Sequence, residues 1–448
     1  MAWGKTNATG SGGKIKNATK QTLKCVDLDG IPRNHFVNVL QGKTMEIDEI
    51  EKVLGVEFGG INNLQWIDAE RFVFIYNTGS SGHYVKAGRI TDRKKITLGA
   101  AIMVYYDSTE YTESVGLFPD PYDDTNILVA LGCSDAYGIG LWMLAVDWDT
   151  LTISQKEPEL GAYAYDLGVG AEMYGNGYGG ISGGFDSESV IWLSSNEGFF
   201  VVKFNRTSRT LSLLGERQWN NGQGSHAVRI SQGVCMRVDC GYKSDKYSGS
   251  LVKFTAAGAI TEGAIYTFPD GGHSGYRSAY PKTLFCTDLG TVLWLSERYL
   301  YKVSYNTSQN TITGEAVILN IAAGWQNYGG WGRLATGEYW LAVQISTEIM
   351  QLYIMTETSA GVFDSTVTNL NLSEFIGRYA NLELNENGYG LMYPLSHYSG
   401  YADQKDALLY GLFTTFDGAI RAVSNNYWFG VARSSAEYGE DLVVEVLA

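Results

Sequence analysis

The chain has 448 residues, 45% of them hydrophobic, 13% aromatic and only 18% charged, with a formal net charge of −15. That sign excludes a surface built to follow a nucleic-acid backbone or an anionic membrane, and no apolar stretch is long enough to span a bilayer as a helix. The content of 54 Gly, 30 Tyr and 11 Trp, with helix-period stretches almost absent, points to one large β body.

Residues 1–13 are small and polar, lack the apolar core of an export signal, and are expected to be flexible. Residues 14–30 alternate like a strand and are rich in Lys, and Pro32-Arg33-Asn34 reads as a turn. Residues 44–54 are the best helix candidate. Thr44 can cap, acidic residues fill the first turn, Ile47, Ile50 and Leu54 share one side, and Gly55 can end it. Residues 1–58 therefore read as an N-terminal attachment or oligomerisation segment.

A pattern then repeats. Apolar runs start at Phe72, Ile127, Val190, Val234, Val292, Tyr339 and Tyr389, spaced by 44 to 63 residues. Alternating strands follow the runs, as from Trp142, Phe200, Leu251, Leu352 and Leu408, and a weaker strand usually comes third, as in KITLGAAIMV or TLSLLGERQW. A short segment such as NLQWIDAE or NLELNENG precedes each run and supplies a fourth strand. Units of four antiparallel strands at this period are the signature of propeller blades. The expected fold is all-β, a seven-bladed β-propeller over residues 59–423. Its last meander turns at Asp417-Gly418, and the source of the strand that closes the ring is left open. A β-sandwich also has short recurrent strands, but it has no reason to repeat strong and weak strands in one order.

The five Cys, at 25, 133, 235, 240 and 286, are odd in number and lack metal-ligand spacing. They read as free thiols of a protein assembled in a reducing cell interior.

On this map the blade-to-blade links and the links between second and third strands share one end, and they gather Tyr, Trp, Asn, Asp, His and Gly. Flat rings cover the apolar faces of sugars while amides and carboxylates bind their hydroxyls. The candidate glycan-binding residues are Tyr174, Tyr178, Trp219, His273, Tyr276, Arg277, Trp325, Tyr328 and Trp331. Many of these also suit turn shaping and packing between blades. An enzyme is the competing class, because His226 and His273 with Asp107, Glu113, Asp166, Glu172 and Asp270 fall on the same end. Two carboxylates at a suitable distance hydrolyse glycosides. The sialidase box, WD and kelch signatures, HExxH, the phosphate-binding loop and the nucleophile elbow are all missing, and no cofactor or metal is expected.

Residues 424–448 follow the repeat as two strands around a polar turn. The run Phe429-Gly430-Val431-Ala432, the pair Gly439-Glu440 and the strand Val443-Val444-Glu445-Val446 resemble a short ending of tailed-bacteriophage virion proteins, among them tail-fibre and head-decoration proteins. The resemblance covers about twenty residues and implies a virion protein assembled in the host cytoplasm. Its expected role is host attachment, as a tail-fibre or receptor-binding component that recognises host-surface glycan. Its expected partners are a host glycan or protein receptor, other virion proteins and further copies of itself, with neither nucleic acid nor membrane insertion. A structural adaptor or decoration protein is the alternative, with a glycan-cleaving hydrolase or lyase as another.

Overall fold

The computed structural model describes residues 19–25, 31–34, 36–39, 48–54, 60–77, 82–91, 95–106, 112–133, 139–155, 165–166, 181–195, 198–219, 222–241, 246–272, 284–295, 299–321, 330–335, 337–346, 349–371, 380–386, 389–394, 407–412, 420–422, 430–436 and 441–446. Among the described residues every regular element is a β-strand. The chain divides into two compact units, Ile47–Phe413 on one side and Met1–Glu46 with Thr414–Ala448 on the other.

In the larger unit the described strands form seven antiparallel sheets. Sheet I contains Gly60–Trp66, Arg71–Asn77, Gly82–Thr91 and Lys95–Leu98, and sheet II Thr112–Pro119, Asn126–Cys133, Ile139–Asp147 and Thr152–Gln155. Sheet III contains Ser182–Ser187, Val190–Ser194, Gly198–Asn205 and Thr210–Gln218, and sheet IV Gly222–Ser231, Val234–Gly241, Lys246–Phe254 and Ile260–Glu262. Sheet V contains Leu284–Cys286, Val292–Leu295, Tyr299–Asn306 and Thr311–Asn320, and sheet VI Trp331–Arg333, Tyr339–Gln344, Ile349–Ser359 and Val362–Asn371. Each is a meander in chain order, and each expected apolar run is its second strand.

Sheet VII departs from the rest. Ala380–Leu384, Tyr389–Pro394 and Ala407–Leu412 are consecutive, but the fourth strand is Asp48–Leu54, running antiparallel with Leu54 opposite Ala407. The helix expected at residues 44–54 is therefore corrected: its described part, Asp48–Leu54, is a strand. Its local period suits a helix, but a three-stranded edge waits for a partner, and ladder hydrogen bonds from a distant segment outweigh a weak local preference. The expected last meander is corrected too. Ile420–Ala422 pairs with Phe36–Val39 in the smaller unit rather than with sheet VII, while Asp417 and Gly418 lie outside the described residues.

The second strands are apolar on both faces because each sheet is covered on both sides. Val190–Ser194 and Tyr339–Gln344 are buried along their whole length, and Trp142, Trp294 and Trp340 are among the largest fully buried side chains. Gly332 faces Trp340 across the ladder, where a Cβ would stand 2.6 Å from the indole nitrogen, so the glycine makes room for the ring.

One turn recurs between third and fourth strands. In sheets II, III and V it begins with Asp147, Asn205 and Asn306, whose side-chain oxygens accept backbone N–H bonds from residues two or three positions on. Its fifth residue is left-handed, with φ of 53° at Leu151, 54° at Arg209 and 55° at Asn310. A non-glycine residue there is uncommon, and Leu151 occupies it with its side chain buried in the core between sheets I and II.

Neighbouring sheets are also tied by polar bonds. Arg71 Nη2 donates to Asp124 Oδ2 at 2.6 Å between sheets I and II, and Arg229 Nε to Asp186 Oδ1 at 2.9 Å between III and IV. The Tyr266 hydroxyl, on a further strand Tyr266–Gly272 that pairs with Lys246–Phe254 of sheet IV, bonds Glu315 of sheet V, Arg333 Nε meets Asp288 Oδ2 at 2.7 Å from V to VI, and Ala335 N donates to Glu386 O at 2.7 Å from VI to VII. Sheet VII is bonded to sheet I in turn. Trp66 Nε1 donates to Glu383 O at 3.0 Å and Asn385 Nδ2 to Ala69 O at 2.6 Å.

The smaller unit is a five-stranded sheet in the order Thr19–Lys24, Asp441–Val446, Gly430–Ala432, Phe36–Val39, Ile420–Ala422. The two strands expected in the tail pair antiparallel. They do not stand apart as a hairpin at 424–448, because leader strands flank them on both sides. Its core gathers Cys25, Ile31, Val37, Ala432, Ala436, Leu442 and Val444.

Candidate functional site

The turns from first to second strand gather at one end of sheets I to III, where they enclose a cleft of about 760 Å³. Ile67, Pro119, Asp120, Pro121, Tyr122, Asp123, Asp124, Glu188 and Arg206 line it. The turn of sheet II, from Asp120 to Thr125, is locked by its own side chains. Asp120 Oδ1 accepts from Tyr122 N at 2.9 Å, Asp123 Oδ1 from Thr125 N at 3.1 Å and Thr125 Oγ1 at 2.7 Å, and Asp123 Oδ2 from Asn126 Nδ2 at 2.8 Å. Burial pushes the Asp123 carboxyl up, but the Thr125 hydrogen bonds and the charges of Arg209 and Arg206 outweigh it and hold the group below the usual carboxylate range.

Arg206, from the turn between the third and fourth strands of sheet III, grips Asp120 with two bonds, Nη1 to Oδ2 at 2.6 Å and Nη2 to Oδ1 at 3.0 Å. Its guanidinium lies 5.5 Å from the centre of the Tyr122 ring and 5.4 Å from that of Phe204. Tyr122 itself is 49% exposed, so the cleft offers an aromatic surface. At the sheet I side Arg71 binds Asp68 and Asp124, and its guanidinium stacks 4.9 Å from the Trp148 ring. The site is thus a preorganised wall of Pro, Ile and Tyr beside the carboxylates of Asp124 and Glu188. It can hold an apolar body with a positive group next to it.

The residues expected to form a glycan face fare differently. Tyr174, Tyr178, His273, Tyr276, Arg277, Trp325 and Tyr328 lie outside the described residues. Trp331 is only 9% exposed and stacks on Phe285, with centroids 5.6 Å apart. Trp219 is half-buried beneath Arg237, whose guanidinium lies 3.8 Å from its ring centre and contacts Asp239 and Glu262. Both tryptophans are corrected from ligand platforms to packing between sheets, because a ring with an aromatic or guanidinium partner on its face gains more there than in water.

The enzyme reading placed His226 in a loop, but it lies on Gly222–Ser231 with 3% exposure. Glu113, Asp166 and Asp270 are on strands, and Asp107 and Glu172 lie outside the described residues. Among the described residues no group of three or more His, Cys, Asp or Glu side chains is placed to hold a metal ion. Sequence reasoning passed over the turn of sheet II. Its signal was the density of acidic residues around Pro121 and Tyr122, beside an apolar run already assigned to a strand.

His83 lies on the third strand of sheet I with 7% exposure, its Nδ1 without a hydrogen-bond partner. Burial pushes the imidazole down to about 4. The unfolded chain, near 6.5, takes up the proton first, so stability falls as pH drops from about 7 to 4, by about 3 kcal/mol through this group. In His83→Gln that loss is absent. Urea denaturation at pH 7 and pH 4.5 checks it, and equal pH dependence in the two proteins refutes it.

No protein-family model matches the chain, and no curated protein does. Solved structures resemble it in fold. A candidate 6-phosphogluconolactonase from Bacteroides fragilis is 12% identical, matching 80% of this chain and 99% of its own at a TM-score of 0.47. A protein from Lactobacillus plantarum is 14% identical, matching 79% and 99% at 0.46. A luciferin-regenerating enzyme is 11% identical, matching 83% and 98% at 0.41. The chain is similar to these as a propeller-like, all-β fold. The expected role as a bacteriophage receptor-binding component is corrected: no comparison supports it, and two of these three neighbours are described as enzymes. At such identities the likeness reaches the fold and no activity.

Proposed function

We propose that Ile47–Phe413 is a closed seven-bladed β-propeller that works as a recognition scaffold, binding a ligand in the cleft at the turn end of its first three blades. The ring reading is supported by the bonds between successive sheets, by the bonds from sheet VII back to sheet I, and by a fourth strand for sheet VII drawn from the other end of the unit. Rings of this kind remove exposed sheet edges near the axis and fix their turns in place.

The cleft carries the functional reading. It joins an exposed Tyr122 and the apolar Ile67, Pro119 and Pro121 to the carboxylates of Asp124 and Glu188, over a floor fixed by the Asp120–Arg206 pair. Such a site fits a cationic group carried on an apolar body, as in an arginyl or lysyl side chain. It favours binding by charge and ring contact over proton transfer, since Asp123 is held ionised at neutral pH.

Calorimetric titration with short arginine- and lysine-containing peptides, and with spermidine, tests the reading. Wild-type protein is expected to bind at low salt. Tyr122→Ala and Glu188→Gln each weaken the affinity about fivefold to tenfold, and added salt weakens it further. Absence of wild-type binding, or equal binding by both variants, overturns the assignment.

A further inference from the structure

The fourth strand of each meander is an outer edge, and an open edge is a template for pairing with another chain. Six of the seven edges are broken or shifted. In sheets I, II and IV the outer position is split, because Ile102–Tyr106, Tyr165–Asp166 and Tyr266–Gly272 also pair with the third strands. In sheets III, V and VII the register of the outer strand shifts, between Val201 and Val202, at two places in sheet V, and between Asp48 and Glu51. Breaks and bulges of this kind spoil an edge as a template. Sheet VI is different. Residues Ile349 to Glu357 pair with Asn371 to Phe363 in nine unshifted steps. The outer strand Val362–Asn371 has no further neighbour among the described residues, and Asp364, Ser365, Thr366 and Val367 are all exposed. Successive side chains point to opposite faces, so both faces of this strand are open as well as its edge. It is rich in Val and Thr, which suit strands, and it contains no Lys, Arg, Pro or Gly to blunt it.

We propose that the outer strand of sheet VI pairs with the same strand of a second copy of this chain, antiparallel about a two-fold axis through Thr366. In an antiparallel ladder the backbone groups facing outward belong to alternate residues, so such an axis passes through a residue position and that residue meets its own copy. An axis at Thr366 sets Val362 opposite Leu370, Asp364 opposite Thr368 and Thr366 opposite itself. Apolar meets apolar and threonine meets threonine, while the single charge of the strand meets a hydroxyl residue and not its own copy. An axis at Asp364 would instead bring two carboxylates face to face. Among the described outer strands there is one such edge per chain, and pairing uses it up, so association closes at two. Each copy carries a net charge of −15, which opposes association at low ionic strength. Added salt therefore strengthens the dimer, the reverse of its effect on a cation held in the cleft. The proposal is independent of the cleft and of its ligand.

Sedimentation velocity on the full chain across a wide range of concentration tests it, with urea denaturation to confirm that each variant is folded. Wild-type protein is expected to pass reversibly from monomer to dimer, more readily in added salt. Thr366→Lys and Thr366→Glu each set like charges against each other across the axis and weaken dimerisation about tenfold or more. Mixed together the two variants associate again, because the heterodimer sets opposite charges against each other, and a damaged fold would not be rescued in this way. Thr313→Lys, at an exposed position of the outer strand of sheet V, leaves the dimer unchanged. Hydrogen exchange on the wild type gives a reading without any variant. Amides of residues 362–371 slow as the concentration rises, while those of residues 311–320 do not. A wild-type chain that stays monomeric, a dimer that survives Thr366→Lys, or growth beyond the dimer overturns the proposal.

Discussion

Truncation after Glu440 is expected to abolish the fold of the small unit while Ile47–Phe413 keeps its sheets. Asp441–Val446 lies between Thr19–Lys24 and Gly430–Ala432. All six residues of the leader strand, from Thr19 opposite Val446 to Lys24 opposite Asp441, pair with it. Without it the leader strand loses its one neighbour among the described residues, and Leu442 and Val444, both fully buried, are removed from a core of seven described apolar side chains. Two such side chains withdraw about 3 to 6 kcal/mol of burial, close to all that a small sheet possesses. Cys25 is the reporter. It is fully buried in the intact unit and becomes reactive to maleimide in the truncated chain, as located by peptide mapping. A Cys25 that stays unreactive after truncation would show that the leader folds by itself.

Arg206→Ala is expected to cost about 3 to 5 kcal/mol, because it abandons a buried charge. The Asp120 side chain is wholly buried while that of Arg206 is 27% exposed. The contacts left to Asp120, from Tyr122 N and a long one of 3.4 Å from Asn126 Nδ2, do not neutralise it. Asp120→Asn in the Arg206→Ala background should recover part of the loss, since an amide can keep the Tyr122 bond without a charge to desolvate. Arg206→Lys should fall between, because an ammonium cannot span both carboxylate oxygens. Urea denaturation of wild type, Arg206→Ala, Asp120→Asn and the double variant closes a double-mutant cycle and measures the coupling. A coupling near zero would mean that water, and not Arg206, satisfies Asp120.

The repeat was legible because its strongest signal is also its most buried one. VIWLS and VLWLS are core second strands, and burial on two faces leaves a continuous apolar run that no surface element imitates. Asp48–Leu54 was misread because the decision lies about 360 residues away, in the free edge of Ala407–Leu412, and a window of eleven residues does not contain it. The same holds for the tail, whose valine strand was visible but whose leader partner was not. Trp219 and Trp331 misled for another reason. Composition tells that a ring is there, but not whether Arg237 or Phe285 has already covered its face. The cleft was missed because its residues come from turns in three sheets, each unremarkable in its own stretch.

The interleaving of the two ends also sets an order on synthesis. When Thr19–Lys24 leaves the ribosome its partner is more than 400 residues from being made. At cellular elongation rates that is a wait on the order of half a minute. During the wait the blades can form one after another from adjacent segments, since each of the first six needs only neighbouring strands. The small sheet therefore forms only after Asp441–Val446 has been made. A product interrupted before Asp441 carries an unpaired leader strand, open to proteases and chaperones, whatever the state of its blades.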